Sequence, residues 1–134
     1  CGAGLYADSC RGGATVTGLG EDCMRGCISY EVVRLMGEGL RPQEACEQAV
    51  AALDEKLRRV RGSAGDLSIV AMNAQGAWGA ATNIDGFSFV VATEELAPVV
   101  YVAERQGSHT VYQPATKAWL DEYMTARTAP VELI

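Results

Sequence analysis

The sequence predicts an α+β fold, an antiparallel sheet with helices packed on one face, and three features predict it. A short run of small and β-branched residues, 12–17, ends in glycines and hands over at once to a helical pattern. Two segments with apolar residues at helical spacing follow. The second half then changes to short β-branched and aromatic runs separated by turn residues, the pattern of successive antiparallel strands. With 134 residues, 49% of them apolar, the chain makes one domain long enough to bury a core.

Taken in order, residues 12–17 form the first strand. A helix is predicted over residues 21–36, with Met24, Ile28 and Leu35 on one face and Gly37 and Gly39 as its breakers. Glu21 and Arg25 lie one turn apart on it and read as an i, i+4 support pair. Pro42 opens a second helix, since a first-turn residue has no helical N–H bond to lose. Ala45, Ala49, Leu53, Leu57 and Val60 share its apolar face. Arg58, Arg59 and Arg61 sit where positive charge complements the helix dipole, and Gly62-Ser63-Ala64-Gly65 ends the helix. Strands are predicted over 67–72, 78–82, 87–92 and 99–103, the first two joined by the turn Asn73-Ala74-Gln75-Gly76. Residues 117–127, with Trp119, Leu120, Tyr123 and Met124 on one side, read as a short amphipathic helix that docks on the domain or on another subunit.

Composition excludes several functions. A net charge of −6 and the lack of a basic stretch with interleaved aromatics argue against nucleic acid as a partner. No apolar run is long enough to cross a bilayer, and the first residues lack a signal-peptide pattern, so no membrane partner is expected. The five cysteines, Cys1, Cys10, Cys23, Cys27 and Cys46, form no Cys-x-x-Cys motif, and the single histidine, His109, is distant from them. No metal site and no cofactor follow from that set. Cys23 and Cys27, one turn apart, could both face the core as small hydrophobes, and free thiols are expected.

The chemistry is concentrated in Thr17-Gly18-Leu19-Gly20-Glu21. A strand that passes to a helix through glycines leaves backbone N–H groups free at the turn, where they can bind negative charge. Gly18 and Gly20 let a ligand approach the backbone where a Cβ would stand in the way, and Thr17 adds a hydroxyl beside those amides. Such donors suit an oxyanion hole. The plainer reading is a strand–helix turn with a threonine near the helix N-cap.

The segments Gly2-Ala3-Gly4-Leu5-Tyr6-Ala7-Asp8, Thr17-Gly18-Leu19-Gly20-Glu21, Pro42-Gln43-Glu44-Ala45-Cys46, Ala71-Met72-Asn73-Ala74-Gln75-Gly76-Ala77-Trp78-Gly79-Ala80 and Asp85-Gly86-Phe87-Ser88-Phe89 together resemble the glycosylasparaginase family, the asparaginase-type branch of the N-terminal-nucleophile hydrolases. The resemblance runs in order to about Arg105 and fades beyond Gly107. It implies a four-layer αββα sandwich, of which residues 1–134 are the C-terminal portion of the nucleophile-bearing subunit. A partner subunit released from the same precursor by self-cleavage, upstream strands and a homo-oligomer of such heterodimers would complete the assembly. Sheet edges left open without them should make the isolated chain prone to aggregate.

The implied reaction is hydrolysis of an asparagine side-chain amide by a threonine nucleophile. Carried over residue by residue, Thr17 would donate its hydroxyl and Gly18 its backbone N–H to the oxyanion, while Leu19 and Gly20 would complete the substrate-binding turn. The chain departs from the family at the start: no Thr-Ile-Gly or Thr-Val-Gly and no Gly-Arg-x-Gly-Asp run occurs in these residues, so the nucleophile is expected outside them and the chain alone should not catalyse. Cys1 is a second candidate, with its own α-amine as base. Against it stand the family position it matches and the glycines that follow, which are poor material for a nucleophile-bearing strand. The residues 82–89 resemble glycosylasparaginases more than plant-type asparaginases, so N-glycosylated asparagine is the leading small-molecule substrate. Isoaspartyl peptides or asparagine come second, and a non-catalytic structural or binding relative is the remaining alternative.

Overall fold

A computed structural model describes residues 1–130. The elements are β1 (Leu5–Asp8), β2 (Gly12–Gly18), α1 (Gly20–Gly26), α2 (Ile28–Gly37), α3 (Pro42–Arg61), β3 (Leu67–Asn73), β4 (Trp78–Thr82), β5 (Asp85–Val91), β6 (Val99–Gln106), β7 (His109–Pro114) and α4 (Lys117–Thr128). The strands form two antiparallel sheets, one in the order β1-β2-β3-β4 and the other β5-β6-β7. The single sheet expected from the sequence is therefore two.

Alternation along the strands sets the layers. Ala14, Leu67, Ile69, Ala71 and Ala81 pack with Ile28, Val32, Val33, Ala49, Leu53 and Leu57 of α2 and α3 in the main core. The opposite face of the first sheet presents Val70, Trp78 and Ala80 to Phe87, Phe89, Tyr101, Ala103 and Tyr112 of the second. Trp78 packs within 5.8 Å, centroid to centroid, of three of those rings. Helices thus cover one face of the first sheet and the second sheet covers part of the other. Beyond that cover an apolar groove of about 570 Å³ remains, lined by Leu5, Thr15, Val70, Met72, Trp78, Phe89 and Val90 among others.

Several expectations change. The helix expected over 21–36 is broken at Cys27, which has φ 45° and separates α1 from α2. A Cβ on Gly26 would strike the Leu53 side chain, so α3 packs closely beside the break. In consequence Cys23 is buried and Cys27 exposed; all five thiols are free. Val60 is 70% exposed, off the apolar face that Ala45, Ala49, Leu53 and Leu57 do share. Glu21 and Arg25 form no ion pair among the described residues; Arg58 and Arg61 do more than face a dipole, pairing with Asp54 and Asp22. The amphipathic α4 buries none of its residues, and its Trp119 and Tyr123 stack on each other with centroids 5.0 Å apart.

Two of the sequence segments meet in space. Gln43 pairs with Ala80 through both ends of its amide, at 2.9 and 3.0 Å, in the manner of an added strand residue. Gly79 has no room for a Cβ beside the Gln43 backbone, and the Cys46 thiol reaches the Gly79 carbonyl at 3.8 Å. The first turn of α3 is thereby fixed against β4. The turn Asn73–Gly76 is held by its own asparagine, whose Oδ1 accepts from the N–H groups of Gln75 and Ala77.

Asp54 knots α3 to both sheets. It accepts from Arg58 at 2.8 Å and from Asn83 at 2.8 Å, with Arg105 at 3.5 Å. Burial pushes its carboxyl up, but Arg58, Asn83 and Arg105 outweigh that and hold it below the ordinary range. A lowered folded pKa means the unfolded chain binds the proton first. Its stabilisation is therefore complete above about 3.9, the unperturbed aspartate value, and is lost as pH falls through the folded value. Acid unfolding followed by circular dichroism should show stability falling below about pH 4 with a shallower fall in Asp54→Asn. Equal slopes in the two proteins would remove Asp54 from the linkage.

Candidate active site

The turn from β2 to α1 is shaped by its neighbours. Gly18 has φ 131°, and a Cβ on it would collide with the Asp66 carbonyl, so only glycine ends the strand here. The Leu19 N–H donates to that same carbonyl at 2.8 Å. On the other edge of β2, Val16 N–H donates to Gly4 O at 3.0 Å, where β1 begins. Alternation along an extended strand aims the next N–H on that edge, that of Gly18, past the end of β1.

Thr17 sits opposite Ser68, and Ser68 opposite Thr82, so three hydroxyl side chains line up across β2, β3 and β4 on the face away from the helices. Ser68 and Thr82 are buried and share a 2.8 Å hydrogen bond, while Thr110 Oγ1 accepts from Thr82 N–H at 3.0 Å. Thr17 is exposed, and its hydroxyl has no partner among the described residues. It does not cap α1, whose N-cap is Leu19 with no side-chain bond. The capping role open to Thr17 in the sequence is thus not the one it plays. Alternation in period two could have found the Thr17–Ser68–Thr82 row only with the strand register known.

In front of this turn is a depression of about 320 Å³ lined by Ala3, Gly4, Val16, Thr17, Gly18, Gly20, Cys23 and Met24. Its far wall is the Gly2–Gly4 loop. Ser29 Oγ donates to the Ala3 carbonyl at 2.5 Å and Tyr30 N–H to Gly2 O at 2.8 Å, so the start of α2 holds that loop. Cys1 precedes it on exposed, non-strand backbone, as its glycine neighbours suggest. Of the residues singled out in the sequence, Thr17, Gly18 and Gly20 line the depression and Leu19 does not; its side chain lies over Gly65. Burial pushes the Cys23 thiol up. With only seven residues, α1 contributes little helix dipole to the turn. Among the described residues no cluster of three or more histidine, cysteine or acidic side chains is placed to hold a metal.

A hydroxyl and a free backbone amide side by side at a strand end are the donors an acyl-transferring hydrolase aims at its tetrahedral anion. A family model described as asparaginase matches residues 1–102, and the chain belongs to the asparaginase family of hydrolases. It is 39% identical over 92 residues to the N(4)-(beta-N-acetylglucosaminyl)-L-asparaginase of Elizabethkingia miricola, 67% of this chain and 27% of that protein. The rat protein of the same name is 33% identical over 94 residues, 67% of this chain and 26% of its own length. A probable isoaspartyl peptidase/L-asparaginase of Drosophila melanogaster is 36% identical over 84 residues, 58% of this chain and 25% of that protein. The chain spans about a quarter of the length of these relatives.

Proposed function

We propose that this chain is the C-terminal portion of the nucleophile-bearing half of an amidohydrolase that cleaves the side-chain amide of N-glycosylated asparagine. The observation that carries the reading is the unpartnered Thr17 hydroxyl beside the outward Gly18 N–H, at the rim of a depression. The nucleophile is a threonine outside these residues, freed by self-cleavage of a precursor. Its hydroxyl adds to the side-chain carbonyl, and Thr17 and Gly18 donate to the oxygen that becomes anionic. Collapse expels the protonated amine and leaves a β-aspartyl ester, which water hydrolyses to aspartate through a second anion at the same two donors. Leu19 and Gly20 shape the substrate-binding turn through their backbone. No cofactor or metal enters the scheme.

The apolar groove beside β5 supports the four-layer reading, because upstream strands and a partner subunit from the same precursor would cover it. A homo-oligomer of such heterodimers is the proposed assembly. Without its nucleophile this chain alone is inactive in the scheme. The Drosophila relative's name supports the second reading, an isoaspartyl peptidase or L-asparaginase. Competition separates the two. With aspartylglucosamine, a β-aspartyl dipeptide and asparagine offered to the full-length protein, kcat/KM should favour the glycosylated substrate; a tenfold preference corresponds to about 1.4 kcal/mol of transition-state binding. Faster turnover of the dipeptide would establish the second reading, and no turnover of any would leave a non-catalytic relative.

A further inference from the structure

Asp22 is fully buried in the first turn of α1, and the scheme above gives it no role. Its Oδ2 accepts from the Gly65 N–H at 2.8 Å and from the Arg61 guanidinium, while Oδ1 has no partner among the described residues. A buried carboxylate with an idle oxygen weakens a fold. Its location is what sets it apart. Segment 62–66 is the wall on which the candidate turn rests: Leu19 N–H bonds Asp66 O at 2.8 Å, and the Leu19 side chain occupies the space a Gly65 Cβ would need. The Asp22 N–H closes the turn on Leu19 O at 3.0 Å. The Gly65 carbonyl accepts from Asn83 at 2.9 Å, and Asn83 also reaches Asp54. A continuous polar path therefore leads from α3, through Asn83 and the backbone of Gly65, to Asp22 and the turn.

We propose that Asp22 and Arg61 are positioning residues for the Thr17–Gly18 anion site: the pair clamps segment 62–66 against Leu19 and so fixes the direction of the Gly18 N–H before substrate arrives. The inference rests on the amidohydrolase reading above. Oxyanion donors act through being oriented in advance, so loosening them raises the barrier and leaves substrate binding almost untouched.

The test uses the full-length protein. Asp22→Ala should lower kcat roughly 10- to 100-fold with KM within about twofold of wild type. Adding Arg61→Ala should cost little more, because the two side chains act as one unit. Leu57→Ala, a core change on α3, is the control: it should lower Tm while keeping kcat well below that Tm. If Asp22→Ala does not fold, Asp22→Asn, which still offers an oxygen to the Gly65 N–H, takes its place with a smaller loss of kcat. Amide exchange supplies a readout independent of turnover, and Leu19 and Gly65 should exchange faster in the Asp22 variant than in Leu57→Ala. Wild-type kcat and unchanged exchange in the Asp22 variant would overturn the clamp, as would an equal loss of kcat in Leu57→Ala. If the wild-type protein cleaves no amide substrate, the amidohydrolase reading fails by itself and the exchange rates still decide the clamp.

Discussion

Thr17→Ala in the full-length protein is expected to lower kcat by about 100- to 1000-fold while KM stays nearly unchanged. The hydroxyl is exposed, has no partner among the described residues and does not cap α1, so its removal leaves no buried group unsatisfied. The folded protein should keep its thermal stability. What disappears is a donor to charge that exists only in the transition state. Steady-state kinetics on a chromogenic β-aspartyl amide, with thermal melts in parallel, read both quantities. Equal kinetics for the two proteins would remove Thr17 from the reaction.

The glycines on either side of Leu19 should separate folding from chemistry. At Gly18 the backbone has φ 131° and a Cβ would meet the Asp66 carbonyl. Gly18→Ala should therefore destabilise by more than about 2 kcal/mol and abolish activity with the turn. Gly20 has nothing within 4 Å of an added Cβ and begins a helix, so Gly20→Ala should fold as well as wild type. If substrate approaches this backbone as proposed, that methyl raises KM. Melting curves and KM for the pair of variants decide the matter. A stable Gly18→Ala protein would contradict the strain argument, and an unchanged KM in Gly20→Ala would place the substrate elsewhere.

Elements governed by local pattern were legible in the sequence. β2, α3 and β4 lie where β-branched runs, Pro42 and the Asn73–Gly76 turn place them. Features governed by long-range contact were not. The break at Cys27 adjoins Gly26, whose close neighbour Leu53 appears only once α3 has packed. β1 is four residues long and exists through its pairing with β2, so propensity alone gives it little signal. β7 does alternate, with Thr110 and Tyr112 inward, but its polar ends and Pro114 mask the pattern. Val60 drops out of the core near the end of α3, one turn beyond the buried Leu57.

The candidate site divides in the same way. Thr17, Gly18 and Gly20 lie close together in sequence, where glycine spacing marks the turn and the family resemblance gives it a role. Asp22 bonds partners 39 and 43 positions away, and Ser68 and Thr82 join Thr17 only through strand register. No spacing in the linear chain announces either. Family-like segments at residues 42–46 and 71–80 turn out to hold α3 against β4 through Gln43, Gly79 and Cys46, which is a packing role.

In the proposed reaction, Thr17 Oγ1 and the Gly18 N–H together bind the anion formed from a β-aspartyl carbonyl. The decisive measurement is a crystal structure of the full-length protein with L-aspartate, the product the proposed reaction would release. One oxygen of the β-carboxylate should lie about 2.7–3.1 Å from both Thr17 Oγ1 and Gly18 N. Aspartate held elsewhere, with those two donors left facing solvent, would contradict it.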